Sequence, residues 1–256
     1  MIRGIYTSAS GMVAGQHRMD VAAHNTANVQ TPGYKRQSVR FAPFLDMALV
    51  RLPDGQAQGA ISGIGSINLG AKLDALITDF SEGPLQYSGR DKDIALDGKG
   101  FLVVAEPEGE EIFYTRAGSL AVDAEGVLIT ASGHYLLGEN GRIEVHDPSR
   151  LVFEPDGRVL ADGKLIDRLR IAFFDDESVL QRSGEGLFRL PEGESESSES
   201  GRVHVRQHYL ENSNVDLAQE MADIIVAART YAANQRVVTT HDSLLEKVVN
   251  QIGLVR

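Results

Sequence analysis

The C-terminal segment constrains this chain most. Leu217, Met221, Ile224, Ala228, Tyr231, Gln235, Val238, Asp242, Leu245, Val249 and Ile252 recur in alternating steps of three and four, which is the seam spacing of a coiled coil. Only Gln235 and Asp242 in that series are polar. The spacing predicts one helix of about 35 residues. Ser213 or Asn214 would be its N-cap, with Asp216 and Glu220 placing negative charge at the positive helix end. A helix that long cannot bury an apolar seam alone. The N-terminal segment offers a partner, because Ile2, Ile5, Ala9, Met12, Gln16, Met19, Ala23 and Thr26 keep the same steps. Ala, Gln and Thr contribute little burial there. The two ends are therefore expected to pair along their length, with Met12 near Val238.

Between the ends the period changes. Asn25 to Gly33 closes the first helix, with Pro32-Gly33 as a breaker pair. Residues 38–90 carry Pro43, Pro53-Asp54-Gly55 and a glycine-studded run to Gly70, and predict an extended, loose connection with a short strand at Lys72–Asp79. From Asp93 onward short apolar runs alternate with Asp97-Gly98, Glu125-Gly126, Asn140-Gly141, Asp156-Gly157 and Asp162-Gly163, the pattern of an antiparallel barrel or rolled sheet. Glu192–Gly201, acidic and serine-rich, is expected to be an exposed loop. The expected fold class is α+β. A terminal helical assembly domain (1–37 and 211–256) forms a coiled-coil-like arm, 38–90 connects, and an antiparallel all-β body occupies 91–210.

Charge and composition narrow the function. Net charge is −11. Residues 1–40 nevertheless hold five basic side chains (Arg3, Arg18, Lys35, Arg36, Arg40) against Asp20 alone. An acidic body argues against a nucleic-acid partner. No apolar stretch reaches the roughly 20 residues of a membrane helix, and MIRGIYTSASGM does not read as a cleaved signal peptide. The chain has no cysteine, which removes disulfides, thiolate metal sites and cysteine nucleophiles together.

Few residues suggest chemistry. His204 and His208 are four apart, but their segment alternates as a strand and lacks a third ligand. His17 and His24, seven apart on the first helix, read as solvent or interface positions. Asp91, Asp93 and Asp97 have the wrong spacing for a calcium loop. Gly98-Lys99-Gly100 lacks the P-loop spacing. Ser8, Ser10 and Ser183 lack a nucleophile-elbow setting. No catalytic residue, metal ligand or cofactor site is assigned.

Four segments resemble the flagellar rod and hook protein family. Residues 22–36, AAHNTANVQTPGYKR, are similar to its N-terminal signature, with His24 where an Asn is usual. Residues 97–104, DGKGFLVV, resemble its strand entry. Tyr114-Thr115-Arg116-Ala117-Gly118, with Asp123-Ala124-Glu125-Gly126 after it, resembles its hairpin. Residues 213–234 resemble its C-terminal helix. The matches fall in order across nearly the whole chain.

The resemblance implies a proximal- or distal-type rod subunit without enzymatic activity, located in the basal body. Residues 79–85 are closer to the distal type and 179–190 to the proximal type, so position in the rod, copy number and neighbours stay open. It further implies export through the flagellar apparatus without a cleaved signal, self-association, and contact with other axial proteins of rod and hook. The assembly interface is assigned to Ile5, Met12, Met19, Leu217, Met221, Ile224, Tyr231, Val238 and Leu245. The redirecting turn is assigned to Asn25, Asn28, Pro32, Gly33 and Tyr34. The arms are expected to order on assembly. Two other classes remain: a non-polymerising extracytoplasmic β scaffold or adhesion module with an intramolecular coiled coil, and a cell-wall-active enzyme.

Overall fold

A computed structural model describes residues 2–51, 62–107, 111–145, 150–184, 186–197, 201 and 203–252. Among the described residues there are two α-helices, near the ends of the chain, and a mostly antiparallel β body in the sequence between them, an α+β fold. Helix α1 is Ile2–Ala27 and α2 is Leu217–Ile252. The strands are β1 Gln37–Arg51, β2 Ser62–Thr78, β3 Leu85–Tyr87, β4 Ile94–Asp97, β5 Phe101–Ala105, β6 Ile112–Thr115, β7 Leu120–Val122, β8 Leu128–Thr130 and β9 Tyr135–Gly138. They continue as β10 Gly141–Arg142, β11 Leu151–Phe153, β12 Arg158–Ala161, β13 Lys164–Arg168, β14 Ile171–Ala172, β15 Gln181–Arg182, β16 Leu187–Arg189, β17 His204–Gln207 and β18 Tyr209–Glu211. Two compact units result: residues 1–26, 37–77 and 217–256 form one, and residues 27–36 and 78–216 form the other.

The second unit is the β body. Its main sheet has nine strands in the order β15-β16-β6-β5-β9-β8-β7, with β10 on β9 and β14 on β5. Strand β5, FLVVA, is buried at every position. Its alternation sends Leu102 and Val104 to one core, with Ile94, Leu128, Leu136, Ile143, Val159 and others. Phe101 and Val103 go to a second core, with Tyr114, Ala172, Leu180 and Phe188. A period of two thus lets one strand serve both faces. Each fully buried Leu, Val or Phe there contributes about 1.5–3 kcal/mol of transfer free energy. Turn chemistry fixes the registers. Ala161 pairs with Lys164, so Asp162-Gly163 is a two-residue hairpin, and both residues have positive φ, 49° and 78°, as a type I′ turn requires. The sole helical turn among the described residues of the body is a 3-10 turn, Glu177–Val179. The acidic loop is partly tied down: Glu196 accepts from Tyr114 Oη at 2.9 Å and Arg170 Nη2 at 2.8 Å, and Ser197 N–H donates to Phe173 O.

The other unit differs from the expected loose connection. Much of residues 38–90 is a long hairpin, β1 paired with β2. Its β-branched and leucine-rich halves (VRFAPFLDMALV and INLGAKLDALIT) carry that propensity through the glycines. The hairpin lies on α1: Thr7 Oγ1 donates to Leu69 O at 3.1 Å, and Ala71 N–H donates to Ser10 Oγ at 3.3 Å. Residues 53–55, part of the expected connection, lie outside the described residues, as do the side chains of Ile2 and Ile252.

Candidate functional site

Two places in the chain answer to the sequence assignments: the pairing of α1 with α2 in the first unit, and the turn 27–36 in the β body.

The helices run antiparallel. A Cβ added at Gly4 would lie 2.7 Å from His241 Nε2, and one at Gly11 the same distance from Asn234 Nδ2. Gly15 faces Ala227 and Tyr231. Arg18 Nη2 meets Asp223 Oδ1 at 2.9 Å, and Asn25 Nδ2 donates to Glu220 Oε2 at 3.2 Å. Rising numbers on α1 meet falling numbers on α2. The contact stripe on α1 is Gly4, Ser8, Gly11, Gly15 and Ala22, small residues that let backbones approach. On α2 it is Glu220, Ala227, Tyr231, Asn234 and His241.

The residues assigned to the interface distribute around this stripe. Ile5, Met12, Met19, Ile224, Tyr231, Val238 and Leu245 are half-buried, whereas Leu217 and Met221 are exposed. Ala228, Gln235 and Asp242, which the periodicity places in the seam, are also exposed. Half of the α2 series is thus displaced by one residue, to 220, 227, 234 and 241. Two flanks stay apolar and uncovered. At 100° per residue, Leu217, Met221 and Ile225 fall on one side, while Val226, Val237, Leu244 and Val248 fall on the other; all seven are exposed.

The turn is built residue by residue. Asn25 Oδ1 accepts from Gln37 N–H at 3.0 Å and its Nδ2 donates to Gln37 O at 2.8 Å, which closes the loop from α1 to β1. Asn28 O accepts from Thr31 N–H, and Asn28 Oδ1 accepts from Thr31 Oγ1 at 3.2 Å. Pro32 is half-buried; Gly33 and Tyr34 are buried. The guanidinium of Arg182 lies 4.4 Å from the centre of the Tyr34 ring. Gly33 has φ 69°, and its N–H donates to Glu211 O at 2.8 Å.

Sequence reasoning missed the buried charge cluster two residues beyond that glycine. Lys35 is fully buried, and its Nζ donates to Glu211 Oε1 at 2.7 Å, Ser81 O at 2.7 Å and Phe80 O at 3.3 Å. Glu211 Oε1 also accepts from Gly83 N–H at 3.0 Å, and Oε2 faces Arg116 Nη1 at 3.4 Å. The three charged side chains are each 1% exposed. Arg116 stacks over Phe101, 5.1 Å from the ring centre, with its Nε unpaired. Burial holds the Lys35 ammonium below its ordinary pKa, and the neighbouring Glu211 carboxylate opposes that shift. Lys35 and Arg116 each sit in a family-like motif, so their segments stand out in the sequence. Glu211 has no local signature. Asn214 does not serve as a simple N-cap: its Oδ1 accepts from Arg36 N–H at 2.7 Å, and its Nδ2 donates to Asp79 O and Ser81 O.

His204 is exposed, while His208 is half-buried at a break between β17 and β18 with φ 66°. Among the described residues no group of three or more His, Cys, Asp or Glu side chains is placed to hold a metal ion. No helix among them is long and apolar enough to cross a membrane.

Similarity to known proteins covers the N-terminal helix, the β body and the C-terminal helix in turn. Residues 5–35 match the family described as flagella basal body rod protein, residues 95–161 the flagellar hook protein FlgE/F/G D1 domain, and residues 206–252 the flagellar basal body rod FlgEFG protein C-terminal family. The flagellar basal-body rod protein FlgG of Bacillus subtilis is 34% identical across 98% of this chain and 99% of its own length. FlgG of Agrobacterium fabrum is 30% identical over 95% and 97%. The flagellar hook-basal body complex protein FlhO of Bacillus subtilis is 27% identical over the full length of both.

Proposed function

The chain belongs to the flagellar basal-body rod protein family and is a structural subunit of the rod, and we propose that its paired terminal helices are the part that polymerises. One observation carries this reading. Among the described residues of the helical unit, the buried hydrophobics are Ala22 and Ala227 alone. Tyr6, Val13, Met221, Ile225 and Val249 are all more than half exposed. A helix pair whose α1 contact face is glycine, serine and alanine, and which leaves these large side chains outside, has its apolar flanks free for neighbouring copies. Repetition of such a contact does not close, and it grows as a filament. In this reading the helices form a coiled-coil-like arm, and axial stacking transmits torque. The subunit works by shape and catalyses nothing. Export through the flagellar apparatus, without signal cleavage, and contact with other rod and hook proteins belong to the same reading; a chain without cysteine needs no oxidation step after export.

The test is Ile225→Asp, on an exposed flank away from the α1 contact. In the free subunit it should change stability by no more than about 0.5 kcal/mol. In the rod it places a carboxylate in an apolar contact at a cost of several kcal/mol. Expected are an unchanged melt of the purified protein and loss of basal-body incorporation and swimming. Normal swimming would defeat the interface, and would favour a scaffold module that never polymerises.

A further inference from the structure

Glu211 is gripped by three separate stretches of the β body. Gly33 holds its carbonyl; Lys35, Gly83 and Arg116 hold its carboxylate. The stretches holding Glu211 precede it in the sequence. Until it arrives, Lys35 and Arg116 are two like charges without the carboxylate that pairs with both, and Glu177 is the smallest of the charges acting on Lys35. Such a pair is strongly disfavoured, so the turn stays solvated.

We infer that Glu211 is the closing piece of a latch: the turn at residues 27–36 seats in the body only when the strand carrying Glu211 has arrived. A chain made N-terminus first therefore anchors the root of α1 only once the root of α2 is in hand. The latch rests on the rod reading and adds control to it, since a subunit becomes competent for assembly when its last segment is delivered. A merely stabilising ion pair would lack one property of this arrangement. Two cations share one carboxylate, so loss of either cation leaves a neutral pair, while loss of the carboxylate leaves two buried cations. Glu211 is thus a positioning residue whose removal is asymmetric with that of its partners.

The experiment is hydrogen exchange on the full-length purified chain, with incorporation into rods measured in parallel. Glu211→Gln should speed exchange of the Gly33 and Gly83 amides by about tenfold or more, while Val104 and Leu136 in β5 and β9 keep their protection. Lys35→Met and Arg116→Met should each speed it by less than about threefold. Adding Lys35→Met to Glu211→Gln removes one of the two unpaired cations and should restore part of the protection and part of the incorporation that the single variant loses. The latch is overturned if Lys35→Met opens the turn as far as Glu211→Gln, or if the double variant is no better protected than the single. Should Glu211→Gln also lose protection at Val104, the double variant decides: a protected turn supports the latch and an open one overturns it. An open turn with normal incorporation removes the link to assembly and leaves the rod reading standing. Failure of the wild-type chain to incorporate removes the rod reading, and the exchange comparison alone then decides the latch.

Discussion

A side chain at position 33 has nowhere to go. Gly33 holds φ at 69°, and an added Cβ would run into the backbone of Arg116 and Ala117. The left-handed conformation costs an L residue about 1–2 kcal/mol, and forcing atoms into packed backbone costs about 1–3 kcal/mol more. Gly33→Ala should therefore lower the melting temperature of the β body by about ten degrees, read by near-ultraviolet circular dichroism. A body that melts as wild type would show that the turn does not belong to it. In the sequence alone Gly33 has a different meaning: Pro32-Gly33 reads as the stop of a helix, and substitution there is expected to impair assembly more than folding of the body. Its membership in the body comes from contacts with residues 116 and 211, and chain separations of that size leave no periodic trace. The same holds for Lys35, which reads as part of a basic N-terminal stretch until Glu211 stands beside it.

At the scale of elements, long periodic segments are the most legible, and phase is the least. Both terminal helices and most of the body strands are readable from period and turn residues. The face of α2 that meets α1 is not. Positions 224, 231, 238 and 245 fit two seams equally, one completed by 221, 228, 235 and 242, the other by 220, 227, 234 and 241. The first contains more apolar residues on its N-terminal half, so hydrophobicity alone selects it. The partner decides otherwise, because the glycines of α1 admit close contact at Ala227 and Asn234. Adjacent alanines separate the two phases. Ala227→Leu should overpack against Gly15 and destabilise the helix pair by about 1–3 kcal/mol. Ala228→Leu, on the exposed side, should be tolerated within about 0.5 kcal/mol. Helical ellipticity during urea titration measures both, and the reverse order would restore the first phase. The hairpin of β1 and β2 reads as a loose connection for a related reason: glycine density points to loop, while the β-branched residues between the glycines carry a strand signal that prevails in the fold.

At the scale of the molecule, the two units differ in what holds them together. The β body has two large apolar cores of its own. The helical unit, among its described residues, fully buries no hydrophobic side chain larger than alanine; its larger apolar seam residues are half-buried, beside polar contacts such as Arg18–Asp223 and Asn25–Glu220. The exposed ion pair contributes at most about 1 kcal/mol, while ordering each residue costs about 1–2 kcal/mol of backbone entropy. The free subunit should therefore not unfold in one step. Heating the monomer at low concentration should lose helical signal first, over a broad range. The near-ultraviolet signal of the body, which reports Tyr34 and Tyr114 in their buried settings, should disappear later and cooperatively. Assembled rods should lose both signals together and at higher temperature, because neighbouring copies then cover Ile225, Val237 and Leu244 and supply the apolar contact missing from the monomer. Coincident transitions in the monomer would mean that the helical unit is stable without neighbours. Assembly would then add contacts to finished arms, and the latch at Glu211 would have nothing to hold back.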